Sequence, residues 1–320
     1  MKILAGPTAV GKSEVAIQIA RQVGIEIISA DSMQIYHGMD IGTAKPSLKI
    51  RQETPHHLID ILDPWEAYSV GCYVKDAQNI IRNLESRGKE HLVVGGTALY
   101  LKALTEGLFQ GPGADWEVRH ELEAVAAEKG IHYLHSKLEE VDPNAAQRIE
   151  RGDLRRVVRA LEVYQKTGRP ISYWQQEWER GTSPPEADAP TYRMVILSMD
   201  RRALYRRIEE RVERMFEDGL VEEVRRLLAH HMGLSRQARE ALGYAEVIEY
   251  LEGKRSLSDT KELIKRNTRR FAKRQMTWFR SFVRRGRAGL IEMREGIEEV
   301  AKRVTEVLYP RQGKSAQAMT

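Results

Sequence analysis

The sequence predicts an α/β protein, a parallel sheet covered by helices and interrupted by an all-helical insertion. Three observations predict it. Over the first 113 residues, short apolar runs alternate with amphipathic stretches, the rhythm of strands joined by crossover helices. Helical periodicity alone then fills residues 115–180. An apolar run at 194–199 (MVILSM) finally returns behind a proline-rich break. A chain of 320 residues suits two domains. Here they are an α/β core of residues 1–113 and 186–320 and a helical insertion of residues 114–185.

Each element has a local reason. Residues 3–5, 26–30, 58–62 and 92–94 are apolar runs of strand length. Residues 13–23 and 69–87 carry helical spacing, and Ser69 is placed to cap the second. Gly111-Pro112-Gly113 breaks the alternation. Asp142-Pro143 fits a cap followed by proline at the first helical position. Thr182-Ser183-Pro184-Pro185, with Pro190 behind, makes the second break. Asp200 caps a long helix that Gly219 closes. Helices then continue to about residue 306, and the tail from Pro310 is expected to be disordered.

Composition narrows the function classes. The chain is 42% hydrophobic and 30% charged, with no apolar run near the ~20 residues of a membrane-spanning helix. Lys12 and Glu14 cut short the apolar start, so an export signal is not expected. The one cysteine, Cys72, cannot form an internal disulfide or a cysteine metal cluster, which fits a reducing cytoplasm. Net charge is only +5, but residues 265–287 hold ten Lys or Arg and no Asp or Glu. So local an excess on an otherwise acidic chain points to a polyanionic partner. At helical spacing Ile264, Phe271, Trp278 and Phe282 share one side, expected to be core, while Arg266, Arg270, Lys273 and Arg274 crowd another.

Gly6-Pro7-Thr8-Ala9-Val10-Gly11-Lys12-Ser13 matches the phosphate-loop pattern G-x-x-x-x-G-K-[ST], between a strand and a helix as its mechanism requires. Glycines let backbone N–H groups turn toward phosphate oxygens, and the helix N-terminus adds partial positive charge. Lys12 neutralises phosphate charge, and the Ser13 hydroxyl can hold Mg²⁺. The core is therefore expected to be P-loop NTPase-like, binding a diphosphate or a nucleotide.

In open α/β sheets, ligands bind beyond the carboxyl ends of the strands. Asp31-Ser32-Met33-Gln34 follows one strand and Gly95-Gly96-Thr97 another, while Asp60 and Asp63 lie in and after a third. A carboxylate at Asp31 would face the phosphate loop as a general base or metal ligand. On the helix after Asp200, Arg207, Arg211 and Arg214 recur at i, i+4 and i+7; one facing the loop could neutralise a leaving group.

With these residues in place the chain resembles the tRNA dimethylallyltransferases, also called tRNA isopentenyltransferases. The matching stretches are GPTAVGKS (6–13), ADSMQIYHGMDIGTAKP (30–46), HHLID (56–60), VGGTALY (94–100), RRVVRALEVY (155–164), GLVEEV (219–224), ALGY (241–244) and RRFAKRQMTWFR (269–280). They run in family order over nearly the whole chain. The resemblance implies that the loop holds the diphosphate of dimethylallyl diphosphate rather than ATP. The acceptor would be the N6 amine of the adenosine 3′-adjacent to the anticodon, flipped out of the tRNA anticodon stem-loop. It implies Asp31 as general base, Thr97 on the leaving diphosphate and Arg211 as catalytic arginine, with Arg214 a close second. It implies tRNA contacts at Asp31, Ser32, Met33, Gln34, Thr97, Arg119, Arg155, Arg156 and Arg159. Further contacts fall within 240–245, including Gly243 and Tyr244, and within 268–275, including Arg269, Arg270, Lys273 and Arg274. The chain departs at Ala245, where a basic residue is usual. It is expected to act as a cytoplasmic monomer with Mg²⁺. A metabolite kinase using Asp60 or Asp63 is the alternative enzyme, and an RNA-binding module with a regulatory nucleotide site is the alternative binder.

Overall fold

The computed structural model describes residues 1–107, 111–180 and 192–310. The break expected at 182–190 and the tail beyond 310 lie outside them. Six strands form one sheet: β1 (Lys2–Ala5), β2 (Glu26–Ala30), β3 (His56–His57), β4 (His91–Gly95), β5 (Arg193–Ser198) and β6 (Gly289–Glu292). Their order is β3-β2-β4-β1-β5-β6, and every pairing is parallel. Parallel sheets bury both faces, and Ile3, Leu4, Val93, Val195, Ile196 and Leu197 are all sealed.

Register decides where a ligand can sit. Gly95 pairs with Ala5 on one side and with Ala30 on the other. The ends of β1, β2 and β4 are therefore level, and the segments after them start from one edge. Gly95 has no alternative, since a Cβ there would lie 2.2 Å from the Ala30 carbonyl oxygen.

Contacts divide the chain into two compact units, Met1–Thr105 with Pro190–Thr320, and Glu106–Ala189. The second contains helices Trp116–Lys129, Ile131–Val141, Pro143–Arg148, Leu154–Thr167 and Ile171–Arg180. They close on Leu122, Leu134, Leu138, Val157, Val158 and Leu161. The expected caps are present. Ser69 accepts from the Cys72 N–H, Asp142 from Ala145, and Asp200 from Arg202 and Ala203. The Asp200 helix, Arg201–Glu217, gives way to Gly219 at φ 98°. Among the described residues no helix is long and apolar enough to cross a membrane.

Three expectations need correction. Residues 58–62 are not a strand. Leu58 and Asp60 take left-handed φ of 60° and 52°, and only His56–His57 pair with β2. The turn is stabilised by ion pairs from the Asp60 carboxylate to Lys45 (2.5 Å) and Arg51 (2.6 Å), which an apolar-run argument does not see. Strand β6 falls where only helices were expected. It is an edge strand with one buried residue, Ile291, too weak a pattern to register. In helix Leu257–Arg284, Trp278 is 42% exposed rather than core. At ~100° per residue the buried set centres on Gln275 and Phe279, which leaves Trp278 at the margin. Phe271, also expected in the core, lines the cavity described next.

Candidate active site

A cavity of about 540 Å³ opens beyond β1, β2 and β4. Its walls include Thr8, Lys12, Ser13, Asp31, Gln34, Arg211, Phe271 and Gln275. The phosphate loop runs straight from β1. Ala9 at φ 64° and Gly11 at φ 107° turn its backbone inward, the kind of nest that gathers N–H groups around an anion. Helix Lys12–Val23 starts on Gly11 with no side chain capping it. Its first N–H groups are left for a ligand.

Lys12 reaches back to the Pro7 carbonyl (2.8 Å). Burial lowers its ammonium to about 8, with Asp31 opposing and Arg211 adding to the shift. Burial also lowers Arg211, again against the pull of Asp31. The Arg211 guanidinium donates to the Thr8 hydroxyl (3.3 Å). Arg214 also lines the cavity but is exposed, its guanidinium folded onto its own helix at the Glu210 carbonyl. Arg207 pairs with Glu14 (3.3 Å). Of the three helical arginines, Arg211 is the one bound to the phosphate loop.

Asp31 leaves β2 directly into the cavity. Its Oδ1 accepts backbone N–H bonds from Met33 (2.9 Å) and Gln34 (3.4 Å), which fixes the carboxylate plane. Gln34 is held at both ends of its amide, with Ser29 and the Thr43 carbonyl. Thr97 follows β4, and its hydroxyl accepts from the Ser32 N–H (3.2 Å). Thr97 therefore braces the turn that carries Asp31 and keeps its own proton for another acceptor. Asp60 and Asp63 do not line the cavity. Asp60 is consumed by Lys45 and Arg51, which removes the carboxylate that a kinase reading would need.

The expected RNA contacts divide. Arg270, Lys273 and Arg274 are exposed on helix Leu257–Arg284, whereas Arg269 is paired with Glu209 at 2.6 Å. In the helical unit Arg155 and Arg156 are exposed. Arg119 and Arg159 instead close on the buried Glu162 carboxylate at 3.0 and 2.6 Å. Gly243 and Tyr244 require correction, because both are buried. The Tyr244 hydroxyl donates to Glu223 at 2.6 Å, and a Cβ on Gly42 would lie 2.4 Å from its ring. This tyrosine packs in the core.

Two residues have cavity-shaping contacts that were not singled out from sequence, although Gln275 ends the 268–275 stretch expected to contact RNA. Gln275 enters the cavity from the cationic helix, accepting from the Thr8 N–H (2.9 Å) and donating to the Gly96 carbonyl (2.8 Å). A long amide on an otherwise apolar stripe was its signal in sequence. Glu223, 1% exposed, accepts from the N–H groups of Asp40, Ile41 and Gly42 and anchors the loop that supplies Ile41, Thr43 and Ala44 to the cavity wall. Nothing local in GLVEEV distinguishes it from Glu222.

Comparison with known proteins gives the family. Residues 34–282 match the family described as IPP transferase, and residues 1–60 match the one described as isopentenyl transferase. The tRNA dimethylallyltransferase of Carboxydothermus hydrogenoformans is 51% identical over 282 residues, 87% of this chain and 88% of that protein. That of Geobacter sulfurreducens is 48% identical over 278 residues, 87% and 88% of the two chains. The crystal structure of the full-length tRNA isopentenylpyrophosphate transferase from Bacillus halodurans superposes with a TM-score of 0.67 at 37% identity, covering 96% of each chain. A eukaryotic dimethylallyltransferase acting on tRNA superposes at 0.72 with 27% identity, covering 97% of this chain and 76% of that one.

Proposed function

This chain belongs to the tRNA dimethylallyltransferase family, and from that premise we propose how its cavity performs the transfer. The dimethylallyl group passes from dimethylallyl diphosphate to the N6 amine of the adenosine 3′-adjacent to the anticodon. The phosphate loop holds the diphosphate, with Lys12, the open helix N-terminus and Arg211 facing its charge. The carbon–oxygen bond to the diphosphate breaks as the adenine nitrogen bonds to the freed carbon. Asp31 takes the nitrogen's proton. Its Oδ1 is fixed by two backbone N–H groups, and Oδ2 is the oxygen left to accept. The Thr97 hydroxyl, accepting from Ser32, donates a hydrogen bond to a diphosphate oxygen and keeps its proton. The observation that carries this reading is the level ending of β1, β2 and β4, which sets an anion cradle beside a backbone-fixed carboxylate.

Mg²⁺ fits the residues present. Ser13 is exposed at the first helical turn and lines the cavity. Among the described residues no group of three acidic, His or Cys side chains could hold a metal. The ion would take this hydroxyl together with diphosphate oxygens and water, which suits its reluctance to dehydrate. When bound it would add to the charge that stabilises the leaving diphosphate.

We propose that tRNA phosphates are met within each unit by its own exposed cations: Arg270, Lys273 and Arg274 in the core, and Arg155 and Arg156 in the helical unit. The test is incubation with unmodified tRNA and labelled dimethylallyl diphosphate without ATP. Label is expected on the adenosine beside the anticodon. Phosphorylation of a metabolite by added ATP, with no label on RNA, would overturn the reading.

A further inference from the structure

Gln275 stands at the meeting of two sites that the proposed reaction must serve together. It is 6% exposed, on the inner side of helix Leu257–Arg284. The outer side of the same turns carries Arg266, Arg270, Lys273 and Arg274, all exposed. Its amide spans two of the segments that form the cavity, accepting from Thr8 in the phosphate loop and donating to Gly96 after β4. Gly96 is a glycine for this contact, because a Cβ there would lie 2.5 Å from the Gln275 Nε2. A Cβ on Gly96 would also lie 3.6 Å from the Lys12 Nζ, which puts the Gly96 turn beside the phosphate-loop lysine.

Thr8 is thereby held twice, at its N–H by Gln275 and at its hydroxyl by Arg211. The helices supplying these side chains are themselves joined. Lys265 and Lys261 reach Glu213 at 2.6 and 2.8 Å, and Arg269 reaches Glu209 at 2.6 Å. Gln275 thus ties the helix that carries the outer cations to the cradle, and the ion pairs tie that helix to the one that carries Arg211.

The cations supply the reason for the chain to respond. Arg266, Arg270 and Arg274 stand at i, i+4 and i+8 on the exposed side. Like charges at this spacing repel and loosen a helix. Phosphates laid along the outer face remove that repulsion and steady the turns that carry Gln275.

We propose that Gln275 is a positioning residue that couples RNA binding on the outer face of its helix to diphosphate binding in the phosphate loop. The proposal rests on the reading of the cavity as the donor site. Coupling is reciprocal, so RNA tightens diphosphate binding and diphosphate tightens RNA binding by one factor.

The experiment measures the affinity of inorganic diphosphate with and without a saturating anticodon stem-loop RNA. The protein is the full chain and two variants, Gln275→Met and Gln275→Asn. Met keeps the volume and loses both hydrogen bonds; Asn is one methylene too short to span both anchors. The wild-type protein is expected to bind diphosphate about tenfold more tightly with RNA present, a typical coupling factor. Each variant should bring that factor below about twofold while binding RNA alone as before. A variant with the wild-type factor, or a wild-type protein with none, would overturn the proposal. A readout on the wild-type protein alone stands if neither variant folds. Stem-loop RNA without diphosphate should slow hydrogen exchange at the Thr8 amide, and unchanged exchange would overturn the proposal equally. Failure of the donor-site reading looks different, since diphosphate then binds nowhere near the loop and no label reaches tRNA.

Discussion

Two carboxylates of this protein, Glu162 and Asp31, each have two cations nearby, and the two sets are wired in opposite ways. In the helical unit Glu162 is fully enclosed and meets Arg119 and Arg159 directly, at 3.0 and 2.6 Å. Burial pushes its carboxyl up, but the bonds from Arg119, the Asp115 N–H and Arg159 outweigh this and hold it below the usual range. In the cavity Asp31, Lys12 and Arg211 feel one another without closing into pairs. Each is tied to a neutral partner instead: Lys12 to the Pro7 carbonyl, Arg211 to the Thr8 hydroxyl, and Asp31 to two backbone N–H groups. Charges spent on each other hold a fold together. Charges positioned by neutral groups keep their electrostatic capacity for a substrate.

The largest expected effect comes from Asp31. Asp31→Ala should lower the transfer rate by roughly 10²–10⁴, the range of a lost general base. RNA affinity, measured by filter binding, should stay within about threefold. An equal loss in both would make Asp31 an RNA contact and dissolve the contrast with Glu162.

Next come the arginines of helix Arg201–Glu217. Arg211→Ala should cost about 10²–10³ in kcat, as when a donor to a developing oxyanion is removed. Arg214→Ala, which removes a guanidinium bonded to its own helix, should stay within about threefold of wild type. A reversal in single-turnover rates would transfer the role to Arg214.

Lys12 sharpens the comparison through pH. Its free-protein value of about 8 lies below the ordinary 10.5. The positive charge is therefore present below pH 8 and lost as pH rises through it. Diphosphate affinity should be flat below pH 8 and fall toward tenfold per pH unit above it. Lys12→Arg should flatten the profile between pH 8 and 10. Titration calorimetry reads both, and a wild-type profile flat to pH 10 would show that the lysine charge does not contribute.

The smallest effect on activity belongs to Glu162. Glu162→Gln should destabilise the helical unit by about 3 kcal/mol, because two arginines lose their counter-charge inside it. That is the low end for a broken buried pair, since Arg119 and Arg159 are 24% and 27% exposed. Urea unfolding measures the loss. Diphosphate affinity should not change, and a fall there would show that the two clusters are not separable.

Much of the core was legible residue by residue. The phosphate loop, the strand before it, Asp31 at the end of β2 and the turn after β4 follow from local patterns whose physics is local. Caps such as Ser69, Asp142 and Asp200 need only a side chain two or three residues from its N–H partner. The misreadings share one cause. Residues 58–62 are apolar enough for a strand, yet Lys45 and Arg51 draw Asp60 into a left-handed turn. Tyr244 lies in a stretch where the resemblance implies an RNA contact, and it is sealed against Gly42 and Glu223.

By itself the sequence determined strands β1, β2, β4 and β5, the phosphate loop, the base candidate and the cationic helix, because backbone propensity, glycine placement and charge density act over a few residues. Tertiary structure alone decided which cations remain available, that Arg211 rather than Arg214 reaches the phosphate loop, and that Gln275 ties Thr8 to Gly96. Those outcomes depend on partners up to 267 positions away in the chain. Whether a charge is paired or free is a property of the distance between side chains, which only the packed fold sets.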